Sequence, residues 1–179
     1  MPDERTNKAH AIIVMGVSGC GKSSVGEKLA EALHLAFIEG DALHPAANVE
    51  KMSKGIPLTD EDRMPWLDRI GEDIKASLEK REGIIVSCSA LKRLYRDRLR
   101  AAACGNLFFV YLEGSSALLM KRMAERKGHF MPASLLDSQL ATLEVPTGEQ
   151  GVVTVDIDDT VEGIAATALK GLASLGITG

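Results

Sequence analysis

Three short runs along the chain are continuously apolar and rich in β-branched or aromatic side chains: Ala11-Ile12-Ile13-Val14-Met15, Ile84-Ile85-Val86 and Leu107-Phe108-Phe109-Val110-Tyr111-Leu112. Such runs predict strands buried on both faces, as in a parallel sheet. Two weaker runs, Ala36-Phe37-Ile38 and Val152-Val153-Thr154-Val155, bring the expected set to five. Between the runs the apolar period lengthens to that of a helix, through Val25, Leu29 and Leu33, then Leu67, Ile70, Ile74 and Leu78, then Leu91, Tyr95 and Leu99. Each group lays one apolar stripe along a helix. The alternation predicts an α/β fold, a three-layer doubly wound sandwich whose five-stranded parallel sheet is covered on both faces, with ligands bound beyond the carboxyl ends of the strands.

Two polar stretches interrupt the alternation, Gly40 to Arg63 and Arg126 to Gln150. Both exceed a simple connection and are expected to be a substrate-binding excursion and a lid. The 179 residues suit a single domain spanning 1–179, with 45% hydrophobic and 26% charged residues, an ordinary globular balance. A net charge of -4 argues against binding a nucleic-acid backbone, which needs a basic surface. The basic cluster Lys92, Arg93, Arg96, Arg98 and Arg100 is interrupted by Asp97 and is expected to be mainly a solvated helix face. Cys20, Cys88 and Cys104 are odd in number and far apart, so neither disulfides nor a zinc site is indicated, and a reducing, cytoplasmic setting follows. The first ten residues lack the apolar core of a signal peptide, and no run is long enough to cross a membrane.

The segment Gly16-Val17-Ser18-Gly19-Cys20-Gly21-Lys22-Ser23, followed by Ser24, satisfies GxxxxGK[ST] and lies between a predicted strand and a predicted helix. In this P-loop, backbone N–H groups converge on phosphate oxygens at a helix N-terminus. Lys22 is expected to reach the β- and γ-phosphates of ATP, and the Ser23 hydroxyl to help hold Mg²⁺. Cys20 contributes its backbone and is assigned no further function.

A P-loop alone does not separate a metabolite kinase from a GTPase, a motor or a switch. The sole Asn-Lys pair, Asn7-Lys8, precedes the loop and runs into Ala9, which disfavours a guanine-reading GTPase. The third strand ends in Cys88-Ser89-Ala90, without the carboxylate usual in motors; the nearest acids are Glu39 and Asp41, at alternate positions after the second strand. One suits the metal's water shell and the other the proton of an attacking hydroxyl. Arg122 and Arg126 stand one helical turn apart before Lys127-Gly128-His129. They read either as lid arginines that stabilise transferred charge or as a solvated basic helix end.

Several separated motifs together resemble the gluconate kinases of the short, single-domain P-loop type, relatives of shikimate and nucleoside-monophosphate kinases. They include Gly40-Asp41 with His44-Pro45, Asn48, Lys51-Met52, Pro57-Leu58, Asp62-Arg63 and Pro65-Trp66-Leu67, and continue with Cys88-Ser89-Ala90-Leu91-Lys92, Tyr95-Arg96-Asp97, Gly128-His129-Phe130-Met131, Ser138-Gln139 and Leu143-Glu144. The resemblance implies an ATP-dependent 6-phosphotransferase acting on D-gluconate, Mg²⁺ dependence, a cytoplasmic place in sugar-acid catabolism and a homodimer. By analogy it makes Asp41 the group that orients and deprotonates the acceptor hydroxyl, Glu39 a metal support, and Arg63 the partner of the substrate carboxylate. His44, Lys51, Ser89, Lys92 and His129 are further substrate candidates, and Arg126 joins Lys22 and Asp41 as catalytic. Trp66 is left to the core, and Asp159 or Thr160 is expected to cap the last helix. Ala46-Ala47 stands between Pro45 and Asn48, where some relatives of that family carry basic residues. The competing readings are a kinase of another small hydroxylated acid, shikimate-like or another aldonate, and a non-catalytic nucleotide-binding protein.

Overall fold

A computed structural model describes residues 9–125 and 133–177. The strands are β1 (Ala11–Met15), β2 (Ala36–Glu39), β3 (Ile84–Ser87), β4 (Leu107–Glu113) and β5 (Val152–Asp156), all parallel, in the order β2-β3-β1-β4-β5. β1 at the centre is wholly buried, which is why its five residues are all apolar. The helices are α1 (Lys22–Leu33), α2 (Ala46–Ser53), α3 (Asp60–Glu79), α4 (Arg93–Ala102), α5 (Ser116–Glu125), α6 (Ala133–Thr142) and α7 (Val161–Ser174). α1 packs with α7 and α3 with α4. Right-handed crossovers put these pairs on opposite faces of the sheet, because the chain moves one way from β1 to β2 and the other way afterwards. That reversal opens a crevice between the carboxyl ends of β1 and β3, the place where such sheets bind ligands.

The stripes expected from the sequence fill the core: Val25 and Leu29 from α1, Leu67, Ile70 and Ile74 from α3, and Tyr95 and Leu99 from α4 are buried. The excursion from Gly40 is more regular than its polarity suggests. It holds a 3₁₀ turn (Gly40–Leu43), α2 and the first turn of α3. α3 starts early because Thr59 and Asp62 form a capping box, the Thr59 hydroxyl accepting from the Asp62 N–H at 3.1 Å and Asp62 Oδ2 from the Thr59 N–H at 2.9 Å. The later excursion likewise contains α6, whose Leu135 and Leu136 are buried. Thr160 caps α7, its hydroxyl accepting from the Gly163 N–H at 3.1 Å.

The solvated reading of the basic cluster fails at Arg96, which is fully buried. Its Nε and Nη2 form a bidentate pair with Glu149 at 3.0 and 2.6 Å, and its other contacts reach the carbonyls of Ala90 and Glu144 at 2.8 and 2.9 Å. Arg100 adds a second cation to Glu149 at 2.9 Å. These bonds brace α4 against the chain leaving β3 and the chain entering β5. Arg93, Arg98 and Asp97 are exposed, as expected of the rest of that face.

Candidate active site

The P-loop leaves β1 at Gly16 and enters α1 through Gly21, whose φ of 91° lies in the left-handed region that suits glycine. Lys22 follows at the first turn of α1, 8% exposed, with Nζ donating to the Val17 carbonyl at 3.3 Å. The Ser23 hydroxyl donates to Glu39 Oε1 from the end of β2. The two candidate metal supports, 16 positions apart, are thus brought into contact. Among the described residues no three His, Cys, Asp or Glu side chains gather as a metal cluster. A hydroxyl and one carboxylate beside a phosphate cradle fit Mg²⁺, which keeps most of its ligands as water and substrate phosphate.

Two cavities meet at this loop. One, of about 550 Å³, runs along Gly19, Gly21, Lys22, Ser23, Ser24 and Glu39. The other, of about 200 Å³, is lined by His44, Arg63, Trp66, Ser89, Ser138 and Gln139 among others. Ser18, Lys22 and Asp41 line both. Asp41 therefore stands on the wall the two cavities share. A wider groove of about 1000 Å³ between α4 and residues 144–151 lies away from the P-loop and shares none of these groups.

Asp41 is held in place by its neighbour. Gly40 packs so closely on β3 that a Cβ there would lie 2.0 Å from the Ser87 carbonyl oxygen. Its N–H donates to Ser87 Oγ at 3.2 Å and its carbonyl accepts from Trp66 Nε1 at 2.8 Å. Trp66 is 1% exposed and stacks on His44 with ring centroids 4.0 Å apart and planes at 16°. It is core, as expected, but it also forms a cavity wall. Burial holds the His44 imidazole down to about 4, with the Asp41 charge opposing the shift and the Arg63 charge adding to it. The neutral ring accepts at Nδ1 from the Asn48 amide at 3.2 Å, and the same amide donates to the Asp62 carbonyl at 2.8 Å.

Of the substrate candidates, Asp41, His44, Arg63 and Ser89 converge on the smaller cavity. Lys51 and Lys92 do not line it: Lys51 pairs with Asp62 and Lys92 with Asp60, each at 2.9 Å. Arg122 turns toward the chain after β5, its Nη2 donating to the carbonyls of Ile157 and Asp159. Arg126 and His129 lie outside the described residues. Sequence reasoning missed Gln139 as a site residue. Its Oε1 accepts from both the N–H and the hydroxyl of Ser18, at 2.7 and 3.1 Å, joining α6 to the P-loop. The only sequence signal was its place in the Ser138-Gln139 motif.

The chain matches the family described as AAA domain over residues 12–146. It is 51% identical to a gluconokinase of Gluconobacter oxydans over 148 residues, covering 83% of each chain. It is 45% identical to the thermosensitive gluconokinase of Escherichia coli over 155 residues, covering 86% of this chain and 82% of that one. A crystal structure of a gluconokinase from Sinorhizobium meliloti superposes with a TM-score of 0.86 at 58% identity, covering 94% of both chains. The parallel sheet, the P-loop at its crevice and these similarities agree, and the chain belongs to the gluconokinase family of ATP-using P-loop proteins.

Proposed function

We propose that this chain transfers the γ-phosphate of ATP to the 6-hydroxyl of D-gluconate, giving 6-phospho-D-gluconate and ADP. The observation that carries the reading is Asp41 on the wall shared by the nucleotide cavity and a second cavity containing Arg63. The second cavity offers a guanidinium, which matches a carboxylate in a fork, together with Ser89 and a neutral His44 for hydroxyl groups.

In this reading the P-loop amides and Lys22 hold the β- and γ-phosphates, and Arg63 holds the acid end of the substrate so that its far hydroxyl points at Asp41. Asp41 accepts the hydroxyl proton as the oxygen bonds to the γ-phosphorus, and the bond to the β-phosphate oxygen breaks with its electron pair leaving on ADP. Ser23 and Glu39 would hold Mg²⁺. When bound, the ion draws charge from the phosphate oxygens. Arg126 completes the catalytic set and His129 the substrate contacts on sequence grounds alone. Arg122 is better suited to shaping the nucleotide end of the cleft through the chain after β5 than to meeting the transferred phosphate. The chain is read as a single domain acting as a cytoplasmic homodimer, with residues 40–63 as the substrate-binding excursion and residues 126–150 as the lid. No helix among the described residues is long and apolar enough to cross a membrane.

The test is coupled ADP release with MgATP and a panel of D-gluconate, shikimate, other aldonates, nucleoside monophosphates and neutral sugars. Selective turnover of gluconate is expected. Turnover of a different acceptor alone would refute the substrate, and ATP binding without acceptor-dependent turnover would refute the enzyme.

A further inference from the structure

Arg63 reaches the acceptor cavity with half of its guanidinium already engaged. Nη1 donates to the Leu58 carbonyl at 2.8 Å and to the Tyr95 hydroxyl at 2.9 Å, while Nε and Nη2 make no hydrogen bond among the described residues. The Tyr95 hydroxyl, accepting from Arg63, donates its own proton to Asp60 Oδ1. Lys92 Nζ donates to the same carboxylate oxygen at 2.9 Å. The Arg63 guanidinium carbon and the Lys92 ammonium nitrogen lie 5.3 and 5.9 Å from the centroid of the Tyr95 ring, which stabilises both cations through its π face.

This arrangement answers a conflict built into the site. Arg63, a residue only 8% exposed, requires a counter-charge, because an unpaired buried cation is costly. A carboxylate bound directly to Arg63 would occupy the fork that a substrate carboxylate needs. Tyr95 places a neutral hydroxyl between them, so Asp60 acts on Arg63 at one remove while Nε and Nη2 stay uncommitted. Lys92 balances Asp60 from its other side, leaving the Arg63, Asp60 and Lys92 group with one surplus positive charge to meet a monoanion. The hydrogen bonds from Tyr95 and then Lys92 hold the Asp60 carboxyl below the ordinary carboxylate range, in keeping with a permanently charged anchor.

We propose that Tyr95, anchored by Asp60, is a positioning residue that fixes the Arg63 guanidinium for the acceptor's carboxylate and so sets the preference for sugar acids over neutral polyols. The proposal deepens the gluconate reading and rests on it. Lys92, a substrate candidate in the sequence, takes the role of balancing Asp60.

Tyr95→Phe keeps the ring and removes only the hydroxyl. It should raise the KM for D-gluconate about tenfold or more, as expected for losing a hydrogen bond to a charged group, with kcat and the KM for MgATP within about twofold. The preference for gluconate over the neutral polyol of the same length should fall by the same factor. Asp60→Asn, at the half-exposed end of the relay, should move the gluconate KM the same way by about threefold or more, and it decides the matter if Tyr95→Phe fails to fold. An unchanged gluconate KM in an active variant would overturn the relay. Equal shifts for gluconate, neutral polyol and ATP would overturn it as well, since they mark a general structural defect. Failure of the underlying reading shows separately, in a wild-type chain that does not turn over gluconate at all.

Discussion

Replacing Gly40 by alanine tests whether the position of Asp41 governs turnover. The new Cβ would stand 2.0 Å from the Ser87 carbonyl oxygen, and since real Cβ contacts do not fall below 3.0 Å, one side must yield by about 1 Å. β3 cannot yield easily, because it is paired to β1 on one side and β2 on the other. The chain carrying Gly40 and Asp41 must move instead, loosening the bonds to Ser87 Oγ and Trp66 Nε1. Each such bond contributes about 1 kcal/mol, and overpacking of this kind costs about 1–3 kcal/mol in all. For a chain of this size that lowers the midpoint of thermal unfolding by roughly 3–10 °C. A displacement of about 1 Å at a reacting group costs about a hundredfold in rate, so kcat should fall by that factor while the KM for ATP holds. Thermal unfolding and steady-state kinetics on the same preparation read both effects. A variant that melts early yet keeps its kcat would refute the argument that Asp41 must sit where Gly40 places it, and one unchanged in both would refute the close packing itself.

Asp41→Asn should depress kcat far more than either KM, because the proton is taken up only as the hydroxyl attacks; steady-state kinetics giving an unaltered kcat would remove Asp41 from the chemistry. Glu149→Gln leaves the fully buried Arg96 without its counter-charge and should cost about 3–5 kcal/mol in urea unfolding, whereas a loss below about 1 kcal/mol would show that the pair adds little. His44 titrates near 4 in the folded chain against 6.5 ordinarily, so as pH falls the unfolded chain takes up this proton first. The stability due to the neutral ring is whole above about pH 6.5 and drains toward pH 4, by on the order of 1–2 kcal/mol after allowing for partial contact with solvent. Denaturation across that range should show a shallower decline in His44→Gln, and an identical decline would exclude His44 as its source.

The sheet was legible because burial on both faces forces continuous apolar runs, and all five runs are strands within a residue of their expected ends. The P-loop was legible because its chemistry is local. α2 and α6 were not, since each lies inside a polar excursion; α2 presents little of its surface to the core, and α6 offers it only the short apolar patch around Leu135 and Leu136. Charge was read least well. The sequence marked Lys51 and Lys92 as substrate candidates and Arg96 as part of a solvated face, but whether a cation faces a ligand, water or a carboxylate depends on pairings such as Lys92 with Asp60 and Arg96 with Glu149, 32 and 53 positions apart. Gln139 was passed over for the same reason, its partner Ser18 being 121 positions away.

The groups particular to the acceptor cavity and the phosphate cradle come largely from different stretches of chain, although Ser18, Lys22 and Asp41 line both cavities. His44, Arg63 and Trp66 belong to the excursion after β2 and the helix it leads into, while the phosphate cradle belongs to the turn after β1, and Asp41 is the hinge of meaning between them. Such a division lets natural variation or deliberate redesign alter the choice of acceptor through that excursion and the Tyr95 behind Arg63 while the P-loop stays untouched. A single scaffold can thereby serve a lineage of kinases that differ in what they phosphorylate and agree in how.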